Sequence, residues 1–216
     1  MNRWLPLPVL GLALALAGCS GEAAPTSRGV YLLIDTSGTY TGELAKAEAI
    51  ISATLARLEP GDSFAVARVD TGSFTEKNIV ARVTFDERPS IANQQKRKFR
   101  ESIDAFVKGV KPAAFTDITG GVLQAVEYLN EKKVGRKTIL VFSDLKEDLK
   151  DGYVRDIPLT VDGFEVVALN VTKLRSDNLD PREYLGRLEE WQGRVESGGG
   201  TWRVINDLDR LERILG

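Results

Sequence analysis

The chain has no histidine among its 216 residues. That absence removes Ser-His-Asp and Cys-His catalysis, histidine general bases and histidine-ligated zinc together. A single cysteine, Cys19, excludes an intramolecular disulfide. Any chemistry therefore runs on Asp, Glu, Ser, Thr, Lys, Tyr or Arg. A basic surplus is missing too. The formal charge is −2, which argues against the basic face of a nucleic-acid binder. The densest basic run, Lys96-Arg97-Lys98 with Arg100, lies in a predicted helix whose apolar face starts at Phe99, and it reads as a solvated helix face. No repeat or low-complexity tract follows residue 28. The chain is 43% hydrophobic and 28% charged, ordinary for one domain with a sizeable core.

The long apolar run sits at the start. Arg3 precedes an apolar stretch from Trp4 to Ala17, too short for a comfortable membrane span and shaped like a secretory signal. It ends in Leu16-Ala17-Gly18-Cys19. At these residues the chain resembles bacterial lipoproteins, whose lipobox is Leu, two small residues and the Cys that is lipidated. The resemblance implies removal of residues 1–18 as a signal peptide and acylation of Cys19. Loss of Arg3 takes the formal charge from 29 − 31 = −2 to 28 − 31 = −3. Several acyl chains together hold a protein firmly to a membrane. Residues 19–28 are then the lipidated Cys and a polar tether that reaches roughly 35 Å at most. The expected location is the cell envelope, on the outer membrane facing the periplasm in a Gram-negative host.

Beyond the tether, apolar runs alternate with helical periods. Strands are predicted at 30–34, 63–69, 79–85, 137–143, 164–171 and 202–205. One helical face carries Leu44, Ala47, Ile51, Leu55 and Leu58, and a second carries Phe99, Ile103, Phe106 and Val110. A third uses Val122, Val126 and Leu129. A fourth uses Leu185, Leu188, Trp191 and Val195, with Asp180 as its cap, Pro181 in its first turn, and Glu183 placed for a capping box. Ser197-Gly198-Gly199-Gly200 ends it. Leu208, Leu211 and Leu215 mark a final helix. Strands alternating with helices predict a single α/β domain over 29–216, a doubly wound and mostly parallel six-stranded sheet with helices on both faces. Residues 70–78 are too few for a parallel crossover, so the third strand is predicted to be an antiparallel edge.

Three loops carry oxygen donors. Asp35-Thr36-Ser37-Gly38-Thr39 follows the first strand. Phe115-Thr116-Asp117-Ile118-Thr119 opens the third helix, where Asp117 reads as a cap. Ser143-Asp144 ends the fourth strand. Oxygen-only donors suit a hard divalent cation. The pentapeptide alone also fits an Asx turn, with Asp35 and Ser37 bonded only to nearby amides. In a doubly wound sheet the ligand crevice lies at the carboxyl ends of strands where the order reverses. If strands one and four are neighbours there, Asp35 faces Asp144.

At these residues the chain resembles the von Willebrand factor A-type (VWA) domain. Its metal-ion-dependent adhesion site uses D-x-S-x-S, then a Thr, then an Asp. Asp35, Ser37 and Thr39 match the first part, Thr116 the Thr, and Asp144 the last Asp. Thr39 replaces a Ser, and Leu145 stands where a small residue is usual. The resemblance implies a Rossmann-like VWA fold and a divalent cation, Mg²⁺ first with Mn²⁺ or Ca²⁺ as alternatives. It further implies a non-enzymatic module whose protein partner presents an acidic residue to the ion.

Three alternatives stand beside this reading. Asp-Thr-Ser-Gly-Thr also resembles the Asp-x-x-Gly-Thr loop of haloacid dehalogenase-type phosphohydrolases, with Asp35 as nucleophile. Ser37 stands where most of those phosphatases carry an acid/base Asp, and Glu147 and Asp148 are poor candidates for the later acidic pair. Val69-Asp70-Thr71-Gly72-Ser73 resembles an aspartic protease signature but lacks a facing partner loop, and reads as a turn between strands two and three. A VWA-like domain with a degenerate, metal-free site is the third.

Overall fold

The computed structural model of the protein describes residues 26–38, 40–207 and 215. Cys19, the lipobox and residues 1–25 lie outside the described residues, as do Thr39, Leu208 and Leu211.

The run Val30-Tyr31-Leu32-Leu33-Ile34 is buried throughout and forms most of β1 (Arg28–Asp35). A strand covered on both faces reads as continuous apolar sequence rather than an alternating one. Its side chains still alternate in direction. Val30, Leu32 and Ile34 enter one core, and Tyr31 and Leu33 enter the other. Each such burial contributes roughly 1.5–3 kcal/mol of transfer free energy.

The other strands are β2 (Ser63–Val69), β3 (Ile79–Thr84), β4 (Arg136–Phe142), β5 (Phe164–Leu169) and β6 (Thr201–Ile205). They form one sheet in the order β3-β2-β1-β4-β5-β6. Only β3 is antiparallel. The order reverses between β1 and β4, so the expected switch point is there.

Helices α1 (Leu44–Arg57) and α2 (Pro89–Gly109) cover one face. Helices α3 (Ile118–Glu131) and α4 (Pro181–Ser197) cover the other. Helix α2 starts ten residues before Phe99, at Pro89, where a proline is pre-organised for a first turn. Of its basic run, Lys96 donates to the Leu58 carbonyl (2.5 Å), while Arg97, Lys98 and Arg100 are exposed as expected.

Two details of α4 differ from the sequence reading. Leu185 is exposed, and Tyr184 and Leu188 take the core positions beside Trp191 and Val195. Asp180 does cap, accepting from the Arg182 amide, but its own amide donates to the Ser176 carbonyl, so Glu183 has no capping-box role. Of the final predicted helix only Leu215 is described, buried in the α1–α2 core.

The crossover from β4 to β5, residues 143–163, carries no helix. A structureless connection of that length is uncommon in a compact domain and is usually functional. It is fastened instead by side chains. Leu145, Leu159 and Val161 are buried in the α3–α4 core, and Arg155 reaches Asp117.

Candidate functional site

The two buried cores fix where Asp35 points. One step beyond the pair Ile34↔Phe142, the next residues in phase are Asp35 and Ser143. Both continue the alternation of Leu33 and Val141, which face α3. The Ser143 hydroxyl accordingly donates to Asp35 Oδ2 (2.6 Å). Asp35 Oδ1 accepts from the Ser37 amide (2.8 Å), so the Asx turn is also present. Loop 36–38 is held at three further points. Thr36 Oγ1 donates to the Val69 carbonyl, the Ala113 amide donates to the Thr36 carbonyl, and Ser37 forms a parallel bridge with Ala113. The Tyr40 amide closes the turn onto the Ser37 carbonyl.

Ala113 belongs to the link between α2 and α3, and that pairing carries Thr116 to the same edge. Thr116 forms an antiparallel bridge with Asp148 of the crossover. Asp117 caps α3 by accepting from the Gly120 amide (2.8 Å), as expected. It also accepts from the Ser73 amide and from both Nε and Nη2 of Arg155. A Cβ at Gly120 would collide with the Asp117 carboxylate, and one at Gly121 would sit 2.9 Å from Leu33 Cδ2. The glycine pair lets the first turn of α3 lie against its own cap and against β1.

Asp144 is buried, and its Oδ1 accepts from the Lys146 amide (2.9 Å). Its Oδ2 accepts no hydrogen bond among the described residues. Burial pushes its pKa above the usual carboxylate value, and the Asp35 charge adds to that push, against the Lys146 amide bond and the positive charge of Arg187. Leu145 follows at φ +65°, in the left-handed region. The loop thus keeps the backbone that a small residue would supply and stores roughly 1–2 kcal/mol of strain. Burial of the Leu145 side chain and a bond from Trp191 Nε1 to its carbonyl (3.1 Å) hold it there.

Ser37, Thr116 and Asp144 line one cavity of about 900 Å³ at the carboxyl ends of β1 and β4. Asp35 is not in its lining but is buried next to it, bonded to the Ser37 amide. Four of the five residues expected to hold a cation are therefore at one edge of the sheet, and the fifth, Thr39, lies outside the described residues. Among the described residues no three Asp, Glu or Cys side chains gather closely enough to hold a metal. With two carboxylates available, hydroxyls must complete the set. That donor chemistry fits a hard, oxygen-preferring ion. A carboxylate offers about four lone-pair positions, so Asp35 keeps acceptor capacity beyond its two hydrogen bonds.

Several contributors carry no motif. Ser143 was legible as an oxygen donor but is spent on Asp35. Arg187 donates Nε to the Asp144 carbonyl (3.2 Å) and both Nη groups to Asp177, whose side chain is fully buried. Asp177 in turn accepts from the Leu174 amide (2.6 Å). Glu147 accepts from the Thr119 amide and hydroxyl and from Arg194. Tyr40 is buried behind the site, donating to the Asn170 carbonyl, with its pKa raised by burial first and also by Asp35 and Asp144. Asp70-Thr71-Gly72-Ser73 is a closed turn, with Ser73 Oγ bonded to the Asp70 amide and carbonyl. Only pairing in space separates these roles from ordinary surface chemistry.

No family model matches the chain, and no curated protein sequence does. Solved structures do. A von Willebrand factor type A protein from Catenulispora acidiphila superposes with a TM-score of 0.52 at 16% identity, over 86% of this chain and 40% of that one. The pilus adhesin SpaC from Lactobacillus rhamnosus GG, in its open conformation, superposes with a TM-score of 0.53 at 12% identity, over 87% and 29%. The chain thus spans well under half the length of either. Its six-stranded mixed sheet, with five parallel strands and one antiparallel, is a VWA-type Rossmann-like α/β fold.

Proposed function

We propose that this protein is a lipid-anchored, non-enzymatic binding module that engages a protein partner through a divalent cation, Mg²⁺ first. The cation would be held by Ser37, Thr39, Thr116 and Asp144, with Asp35 contributing directly or through water. The observation that carries this reading is the meeting of Ser37, Thr116 and Asp144 on one cavity next to Asp35. When bound, the ion supplies an open coordination position for a carboxylate of the partner. The chain's own residues fix the geometry. Ser143 orients Asp35, the Asx turn orients Ser37, and Arg187 holds the Asp144 backbone from the far side.

The likeness of fold to a pilus adhesin supports a binding role. No helix among the described residues is long and apolar enough to cross a membrane; attachment through Cys19 is proposed from the lipobox alone. The tether would enter at Arg28, the end of β1 opposite Asp35. Eight strand residues then separate the two, about 25 Å, and the site would face away from the anchor. The phosphohydrolase alternative gains little, because Glu147 is already committed to Thr119 and Arg194. The metal-free alternative draws support from Asp35, whose two oxygens both have protein donors.

Calorimetric titration with Mg²⁺ and Mn²⁺ tests the proposal. The parent is expected to bind and Asp144→Asn to lose at least tenfold in affinity. Absence of binding by the parent favours the metal-free module. Metal-dependent aryl phosphatase activity lost in Asp35→Ala would establish the enzyme instead. Incorporation of labelled palmitate, abolished in Cys19→Ala, tests the anchor.

A further inference from the structure

The protein is net acidic, yet the rim of the candidate site's cavity is rich in cations. Its charged lining is three cations, Lys146, Lys173 and Arg175, against two anions, Asp144 and Asp148. Lys146, Lys173 and Arg175 are all exposed, and none forms a salt bridge among the described residues. With Asp35 counted the charges balance, and a bound divalent cation would make the site net positive. The loop bearing two of these groups is built rather than loose. Asp177, buried and paired with Arg187, accepts from the Leu174 amide. Val171 donates its amide to Asn206 (2.7 Å). The Lys173 ammonium lies 5.8 Å from the Tyr184 ring centre. Exposed charges set on a fixed frame serve recognition and steering better than stability, since a rim charge mainly tunes encounter and register.

We propose that the partner segment is a polyacidic peptide, with one carboxylate for the ion and at least one more, a few residues away, for Lys173 and Arg175. This rests on the metal reading above for the first carboxylate. The second is independent of it, because the rim cations are present with or without the ion. Lys146, next to the Asp144 turn, lines the same cavity on the side of the first carboxylate.

The test measures fluorescence anisotropy of two fluorescein-labelled Gly/Ser decapeptides, one with a single Asp and one with three, on the full-length protein in detergent. With Mg²⁺ the three-Asp peptide is expected to bind about fivefold more tightly, from two contacts of exposed-pair strength. The double variant Lys173→Ser/Arg175→Ser is expected to lose that preference while keeping its Mg²⁺ affinity and its single-Asp binding. A preference surviving in the double variant overturns the proposal, as does failure of the three-Asp peptide to bind. A preference retained in EDTA supports the rim as independent of the ion, and single-Asp binding that is the same with Mg²⁺ and in EDTA removes the metal reading. Vesicles with 30% phosphatidylglycerol that displace the three-Asp peptide at lower charge concentration would make the occupant a membrane and also overturn it.

Discussion

Asp35 and Asp144 close adjacent parallel strands with the same local turn, yet they end in opposite conditions. Each accepts from the amide two residues on. Asp35 has a second donor, the Ser143 hydroxyl, and its loop continues through Gly38. Asp144 has a second oxygen without a donor among the described residues, a pKa raised by burial, and a loop forced through a left-handed leucine. One aspartate is completed by the protein and frames the site. The other lines the cavity with one oxygen that has no donor among the described residues, within the field of Arg187 and Lys146. An oxygen so placed is one that a ligand can use.

The two ends of that contrast break differently. The largest effect is expected at Arg187, which holds the Asp144 loop from α4. Arg187→Met leaves Asp177 buried and unpaired, at a cost of about 3–5 kcal/mol, read by urea unfolding. Asp177→Asn added to it is expected to restore part of the loss, since the orphaned charge is gone. A loss under 1 kcal/mol would show that the pair does not frame the loop. Ser143→Ala comes next. It removes the second donor of Asp35 and is expected to cost about 2 kcal/mol, the range for a buried bond to a charged group. That corresponds to roughly 4–8 °C in Tm for a domain of this size. It would also move Asp35 toward the condition of Asp144.

Asp144→Asn sharpens the contrast from the other side. The folded-state pKa of Asp144 lies above its unfolded value. Its ionised form is therefore the disfavoured one in the metal-free fold, and the penalty is present above the folded pKa and gone below the unfolded one. In EDTA at pH 7 the Asn variant is expected to be at least as stable as the parent. Its advantage should shrink as the pH falls from the raised pKa toward ordinary carboxylate values. Over the same window, protons are expected to compete with Mg²⁺ at the parent's site. A less stable variant at pH 7, with no narrowing on acidification, would remove the claim that burial disfavours the Asp144 charge.

The sequence made most of this framework legible, because apolar runs and 3.6-residue periods report burial directly. All six strands follow from them, and the antiparallel edge from the short link 70–78; that β1 and β4 are neighbours stands only as a condition in the sequence and is supplied by the sheet order. Ser37, Thr116 and Asp144 stand out in the sequence as oxygen donors after a strand or at a helix start, and the VWA resemblance groups them. Leu185 was misread because periodicity marks a stripe and not its edges. The Glu183 box failed because the Ser176 carbonyl reached the Asp180 amide first. The supports of the site were out of reach in one dimension. Arg187 and Asp177 are ten residues apart with no local pattern, and Arg155 meets Asp117 across 38 residues. Nothing in Leu145 as a residue type announces φ +65°.

Leu145 therefore offers the finest test of the difference between the two loops. At an ordinary helical core position such as Leu129, glycine is worse than alanine by about 1 kcal/mol. At Leu145 both substitutions lose the same buried side chain, about 2–5 kcal/mol. Alanine keeps the left-handed strain, worth roughly 1–2 kcal/mol, and glycine releases it. Glycine gives back about 0.4–1 kcal/mol of that gain through the freer unfolded chain. Leu145→Gly is expected to be more stable than Leu145→Ala by about 0.5 kcal/mol, measured by paired urea titrations, with the order reversed at Leu129. If alanine proves the better replacement at both positions, the Asp144 loop carries no stored strain. The two aspartates would then differ only in their hydrogen bonds.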